Sequence, residues 1–160
     1  MLLRHLLAVL LLPFVVVAAV PSWLLASWAG AGTGWTYIRP IGAGLFACGL
    51  ILFVWCVGLF ARVGGGTLAP WDPTRKLVAV GPYRYVRNPM ITGDAAMLLG
   101  EALFFGSWVL ALWASLFVLV NHTYFVVSEE PGLARRFGES YQAYKANVPR
   151  WVPRLRPWEG

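Results

Sequence analysis

Charge is scarce in this sequence. Only 12% of its 160 residues are Asp, Glu, Lys or Arg, whereas a soluble domain carries about 25%, and 59% are hydrophobic. That excludes an ordinary soluble domain and sets the composition of a membrane protein. Cysteine is scarcer still. Cys48 and Cys56 lie in one apolar stretch, too far apart along a helix axis to pair, and neither has a second Cys or His at metal-ligand spacing. Both read as packed thiols, and no metal is expected. Acids are few enough to leave a net charge of +6. No basic patch stands apart from the apolar stretches, so a nucleic-acid partner is not expected; the cations instead set topology and attract anionic membrane lipids. A dinucleotide fold is excluded too, because Gly-x-Gly-x-x-Gly is missing and strands and helices do not alternate. The Gly64-Gly65-Gly66 run lacks the Gly-Lys-Ser/Thr of a phosphate loop and reads as a hinge.

What the sequence does have is apolar length. A spanning helix needs about 20 apolar residues, and four stretches offer it, at about 6–28, 40–61, 89–106 and 107–127. The first outruns a secretory signal core and is expected to be retained. Pro89 suits the first turn of the third span. The junction near Gly106 is so short that spans three and four form an antiparallel hairpin. Between spans two and three lies a punctuated loop, and Trp71-Asp72-Pro73 within it are expected to cover a site. After span four an amphipathic helix runs to about Asn147, followed by an extended tail with Pro149, Pro153 and Pro157. The expected architecture is one all-α integral membrane domain over 1–160, with the nine tryptophans anchoring at the interfaces.

All but one of the 13 Lys and Arg residues fall before span one, in the long loop or after span four; Arg39 is the exception. The positive-inside rule then places both termini, the long loop and any site built on them on the cytoplasmic side of a plasma or bacterial inner membrane.

Ionisable residues within a membrane are expensive and point to function. Asp94 and Glu101 are seven residues apart and share one face of span three. With the hairpin turning near Gly106, Asp94 stands within one turn of His122. An Asp94–His122 contact would either accept a substrate proton or simply satisfy itself. Glu101 lies nearer the far surface and reads as a packing group.

Two polar blocks flank the hairpin and return to one membrane face. The first is Gly81-Pro82-Tyr83-Arg84-Tyr85-Val86-Arg87-Asn88-Pro89-Met90. The second holds Glu129-Glu130, Leu133, Phe137-Gly138, Tyr141, Tyr144 and Val148-Pro149-Arg150. In order and spacing they resemble the signature of the isoprenylcysteine carboxyl methyltransferase family, which includes small bacterial members and is similar to phospholipid N-methyltransferases. The resemblance covers about Leu77 to Pro153. It implies an S-adenosylmethionine-dependent methyltransferase whose cofactor segments are about 75–93 and 125–154. The residues it implies for the cofactor are Leu77, Val78, Gly81, Tyr83, Arg87, Asn88, Pro89, Ile91, Glu129 and Glu130. The chemistry of those residues agrees: a carboxylate bonds ribose hydroxyls or an amino group, tyrosine offers a π-face to a sulfonium, and Arg84 or Arg87 could fork onto the cofactor carboxylate. Arg150 and Arg154 either touch the cofactor or anchor the tail at phosphates.

Three positions depart from the family pattern. Asn88 stands where members often have histidine, and Ile91 where they often have tyrosine. Phe125 replaces an arginine proposed to meet a prenylcysteine carboxylate, which puts that substrate in doubt. The expected acceptor is a lipophilic or small molecule offering O, N or S. The alternatives are a phospholipid amine N-methyltransferase, with Asp94 or Glu101 meeting the amine, and a non-catalytic protein that keeps the fold.

Overall fold

A computed structural model of the protein describes residues 13–28, 36–59, 62–63 and 77–159. The expected start of span one (6–12), the Gly64-Gly65-Gly66 hinge and the Trp71-Asp72-Pro73 cover lie outside the described residues. Within them the chain is helical, with no strand. Helix α1 is Val15–Ser27, α2 Arg39–Leu59, α3 Pro89–Phe105, α4 Trp108–Tyr124 and α5 Glu130–Asn147. Among the described residues two helices are long and apolar enough to cross a membrane, α2 and the run Trp108–Asn147. Helix α3, at 17 residues, is shorter. Large apolar side chains such as Ile51, Val54, Leu112 and Leu119 face outward along α2 and α4. In water that surface would demand a partner; it is the surface expected of a membrane protein.

The interior is built where four helices meet. Val17 of α1, Phe53 of α2, Met97 and Leu98 of α3 and Ala114 of α4 form one buried cluster. Glycine brings α2 and α3 closest together. A Cβ on Gly49 would lie 2.6 Å from the Gly93 carbonyl oxygen, and one on Gly42 would lie 2.7 Å from that of Gly100. Each pair sits seven residues from the other on its own helix, so the two backbones run antiparallel in contact along two turns. Small residues are what lipid-embedded helices use for such packing. Span two therefore braces the hairpin directly.

The hairpin itself forms as expected. Gly106 adopts φ 61°, Ser107 N–H donates to Ala102 O at 2.9 Å, and Gly106 N–H donates to Leu103 O at 3.2 Å. This is a Schellman closure. Ser107 then caps α4 by accepting from the Leu110 N–H.

Span four does not end where the polarity changes. It passes through a wide π-type turn, Phe125–Glu129, straight into α5. Pro131 explains the turn: it has no N–H for the Val127 carbonyl, and its ring crowds that carbonyl. Val15–Ala19 widens in the same way just before Pro21. Gly138, at φ 52° and ψ −128°, then breaks α5 and turns its last part toward the 77–84 segment.

Two expectations about particular side chains need correction. Cys56 is fully buried against Val78 and Tyr83, but Cys48 is exposed rather than packed. Not all tryptophans are interfacial anchors. Trp113 Nε1 donates to Val16 O at 3.0 Å and straps α4 to α1, while Trp158 packs against Tyr144.

Candidate active site

The two polar blocks meet as a single unit. Arg87 Nη1 donates to Glu130 Oε1 at 2.7 Å, and Arg150 reaches the same oxygen through Nη2 at 2.5 Å and Nε at 2.9 Å. Lys145 Nζ is 2.8 Å from the other oxygen, Oε2. One carboxylate thus gathers three cations from the loop, α5 and the tail. Burial would push the Glu130 carboxyl up, but bonds from Lys145 and Arg150 and the charges of Arg87 and Arg150 prevail and hold it below its ordinary value. The Tyr144 hydroxyl donates to Tyr83 O at 2.7 Å. Backbone bonds then zip the tail along the loop: Arg87 N–H to Pro149 O, Arg154 N–H to Tyr85 O and Trp158 N–H to Arg84 O.

This frame encloses a cavity of about 90 Å³ lined by Leu77, Val78, Tyr83, Arg87, Asn88, Phe125, Glu129, Glu130, Leu133, Phe137, Tyr141 and Tyr144. Glu129 differs sharply from its neighbour. Its carboxyl makes no hydrogen bond or ion pair among the described residues, and burial, reinforced by the charge of Glu130, pushes it up to about 7. Asn88 occupies the N-cap of α3 but makes no side-chain cap bond, so its amide is left for a ligand. The Tyr83 hydroxyl is pushed well above its ordinary range by burial, and it stays neutral. The lining thus combines one unpaired carboxyl, one spare amide and a set of aromatic faces. That donor set fits a cationic molecule carrying hydroxyls and an aromatic base. The volume is below the roughly 300–1,000 Å³ of a pocket that swallows a whole ligand, room for one end of such a molecule.

Seven of the ten residues expected at the cofactor line this cavity: Leu77, Val78, Tyr83, Arg87, Asn88, Glu129 and Glu130. Three do not. Gly81, at φ 56°, turns the loop. Pro89 is buried in the first turn of α3. Ile91 faces a second cavity. Arg87 and Glu130 are on the wall, but they are occupied with each other. Arg84 is engaged as well, with Nε donating to Trp158 O and Nη2 3.7 Å from Glu159, while Arg87 keeps a buried Nε with no hydrogen-bond partner among the described residues. Arg150 is bound to Glu130. Tyr141, Tyr144, Leu133 and Phe137 lie in the expected cofactor segment 125–154 but were not named individually as site residues. Their shared spacing along α5 was the available signal.

The Asp94–His122 contact does not form. His122 Nδ1 accepts from Trp151 Nε1 at 3.1 Å and lies 3.4 Å from Arg150 Nη1. Asp94 Oδ1 is buried without a hydrogen-bond partner among the described residues. The expected level along the hairpin holds, but one residue of helix is 100° of rotation. Asn121, not His122, joins Asp94 on the second cavity. Glu101 Oε2 is buried and also lacks a hydrogen-bond partner among the described residues.

The geometry of the first cavity coincides with the sequence blocks, and comparison with known proteins says whose blocks they are. A family model described as phospholipid methyltransferase matches residues 38–140, well over half the chain. The chain belongs to the phospholipid methyltransferase family. Within this family of methyltransferases it is 35% identical over 77 residues to a protein-S-isoprenylcysteine O-methyltransferase of Schizosaccharomyces pombe, covering 48% of this chain and 33% of that protein. It is also 34% identical over 84 residues to methanethiol S-methyltransferase 2 of Bradyrhizobium diazoefficiens, covering 46% of this chain and 27% of that one. The chain thus spans a third or less of the length of these curated relatives.

Proposed function

We propose that the chain is an S-adenosylmethionine-dependent methyltransferase that modifies a lipophilic acceptor at the cytoplasmic surface of the membrane. The observation that carries this reading is the unpaired Glu129 carboxyl on an aromatic cavity walled by both sequence blocks. S-adenosylmethionine, when bound, would supply a sulfonium methyl carbon to which a nucleophile bonds in line as the carbon–sulfur bond breaks and the neutral thioether leaves. Glu129 would hold the ribose hydroxyls or the amino group. Asn88 adds a donor and an acceptor, and Tyr83, Phe125, Phe137 and Tyr141 supply π-faces. Glu130, Arg87, Lys145 and Arg150 act as positioning residues that fix the loop against α5. Their rigidity keeps the reacting groups aligned, which is where most of the rate gain of such a displacement lies.

A carboxylate is disfavoured as the acceptor: Phe125 is buried in the wall, and the nearby cations Arg87, Lys145 and Arg150 each pair with Glu130. N, S or a hydroxyl suits this wall better as the nucleophile. Distribution of the basic residues favours a cytoplasmic site.

The test is transfer of labelled methyl from S-adenosylmethionine by protein in lipid nanodiscs into organic-extractable acceptors, offered as amines, thiols and alcohols. Turnover of at least one class, lost in Glu129→Ala, is expected. A folded protein that binds the cofactor and methylates none of them would point to a non-catalytic role.

A further inference from the structure

The C-terminal end of α2 forms a seat under the 78–83 loop. Leu52, Cys56 and Leu59 fall on one stripe of that helix, at the spacing of a buried face. They pack with Val78 and Tyr83 in one cluster, further along α2 from the glycine contact with α3 at Gly49. The loop meets the stripe at Gly81, where a Cβ would lie 2.9 Å from Leu59 Cδ1 and 3.7 Å from the Trp55 indole. Cys56 is fully buried, and Tyr83 is 6% exposed. The Cys56 thiol and the Tyr83 hydroxyl share a side-chain hydrogen bond. Tyr83 is held from the other side through its backbone, whose carbonyl accepts the Tyr144 hydroxyl of α5 at 2.7 Å. Val78 and Tyr83 also line the first cavity, whereas no residue of α2 does.

We infer that Cys56 is a positioning residue for the cofactor: from span two it sets the Tyr83 ring that the first cavity presents to its ligand. The inference rests on the methyl-transfer reading above, since it presupposes a cofactor in that cavity. An aromatic ring serves a cation or a base best through its face and at close range, so what Tyr83 contributes depends on what fixes its plane. The bond to Tyr144 anchors only the backbone. The side-chain torsions are set by packing and by the hold on the hydroxyl. A thiol suits that hold, because it is small and behaves as a hydrophobe with weak hydrogen-bonding power. It can therefore meet a hydroxyl in an apolar wall without the desolvation cost of a charged group. The bond directs the hydroxyl toward α2 and leaves the ring face to the cavity. Span two thus reaches the site without touching the ligand: its glycines seat it against α3, and its thiol sets the ring.

The experiment is a double-mutant cycle on the full chain in nanodiscs, with Cys56→Ala, Tyr83→Phe and the two combined, read as S-adenosylmethionine affinity by calorimetry. Each single change should weaken binding about three- to tenfold, the worth of one neutral hydrogen bond. The combined variant should bind no more weakly than either single one. A packing role for Cys56 would instead repeat its full effect in the Tyr83→Phe background. A second measurement covers the case of a Cys56 variant that does not fold. The chain has two cysteines, so in Cys48→Ala the S–H infrared band reports Cys56 alone, and adding Tyr83→Phe should shift it. Unchanged affinity in Cys56→Ala, additive losses in the cycle, or an unmoved S–H band would overturn the inference. The two readings fail separately: a wild type that binds S-adenosylmethionine as well as Cys56→Ala does removes this inference alone, and a folded wild type that binds none removes both.

Discussion

Arg87 and Glu130 lie 43 positions apart in the chain and meet at 2.7 Å, each largely buried. The segment they close holds α3, the hairpin and α4, so this pair ties the entry of the hairpin to its exit. Its neighbour Glu129 has been left free by the same arrangement. One of two adjacent acids builds the frame, and the other faces what the frame encloses.

Removing the framing acid should therefore unfold the site. Glu130→Ala strands Arg87, Arg150 and Lys145, and loss of one partner from a buried pair costs about 3–5 kcal/mol. A thermal melt in detergent should show a midpoint several degrees lower. Because the Glu130 carboxyl is held below its ordinary value, its contribution is complete above about pH 4.5 and is lost as pH falls through the folded value.

Glu129 behaves in the opposite way. Its carboxyl is raised from 4.5 to about 7, so ionising it costs the folded state stability. That cost is absent below 4.5 and complete above 7. The wild type should be more stable at pH 5.5 than at pH 8, and Glu129→Gln should shrink the difference. Affinity for a cationic ligand should run the other way, rising roughly tenfold between pH 6 and pH 8 as the carboxyl ionises. Calorimetry at both pH values checks both signs.

The glycine contact between α2 and α3 predicts intolerance of even one methyl. Gly49→Ala would set a carbon 2.6 Å from the Gly93 carbonyl, and overpacking of this kind costs about 1–3 kcal/mol. Gly58→Ala is the control, because no described residue lies within 4 Å of a Cβ there. Denaturant titration should separate the two.

Gly138 presents strain without crowding. A Cβ there meets nothing among the described residues, yet φ 52° with ψ −128° is closed to other residues. Gly138→Ala should cost about 1–3 kcal/mol and loosen the docking of Tyr141 and Tyr144 more than the membrane core. Hydrogen exchange should rise over 139–158 while α3 stays protected.

Much of this was legible beforehand. Apolar length and the Gly106 junction gave the hairpin, and the two blocks gave most of the cavity wall, because those features are local. What escaped depended on rotation or on long-range packing. His122 and Asn121 differ by one step of helix, and nothing short of the packed hairpin says which faces Asp94. Glu129 and Glu130 look interchangeable until three distant cations choose between them. The α2–α3 contact was written in Gly42, Gly49, Gly93 and Gly100, but single glycines in apolar runs carry no label for the partner they approach.

The central claim is that the free Glu129 carboxyl faces a cofactor. Calorimetric titration of S-adenosylmethionine into the wild type and into Glu129→Ala, both in nanodiscs, tests it most directly. Saturable binding weakened about ten- to hundredfold in the variant, as loss of one charged hydrogen bond requires, is the predicted result. Equal binding by both proteins, or none by a folded wild type, would contradict it.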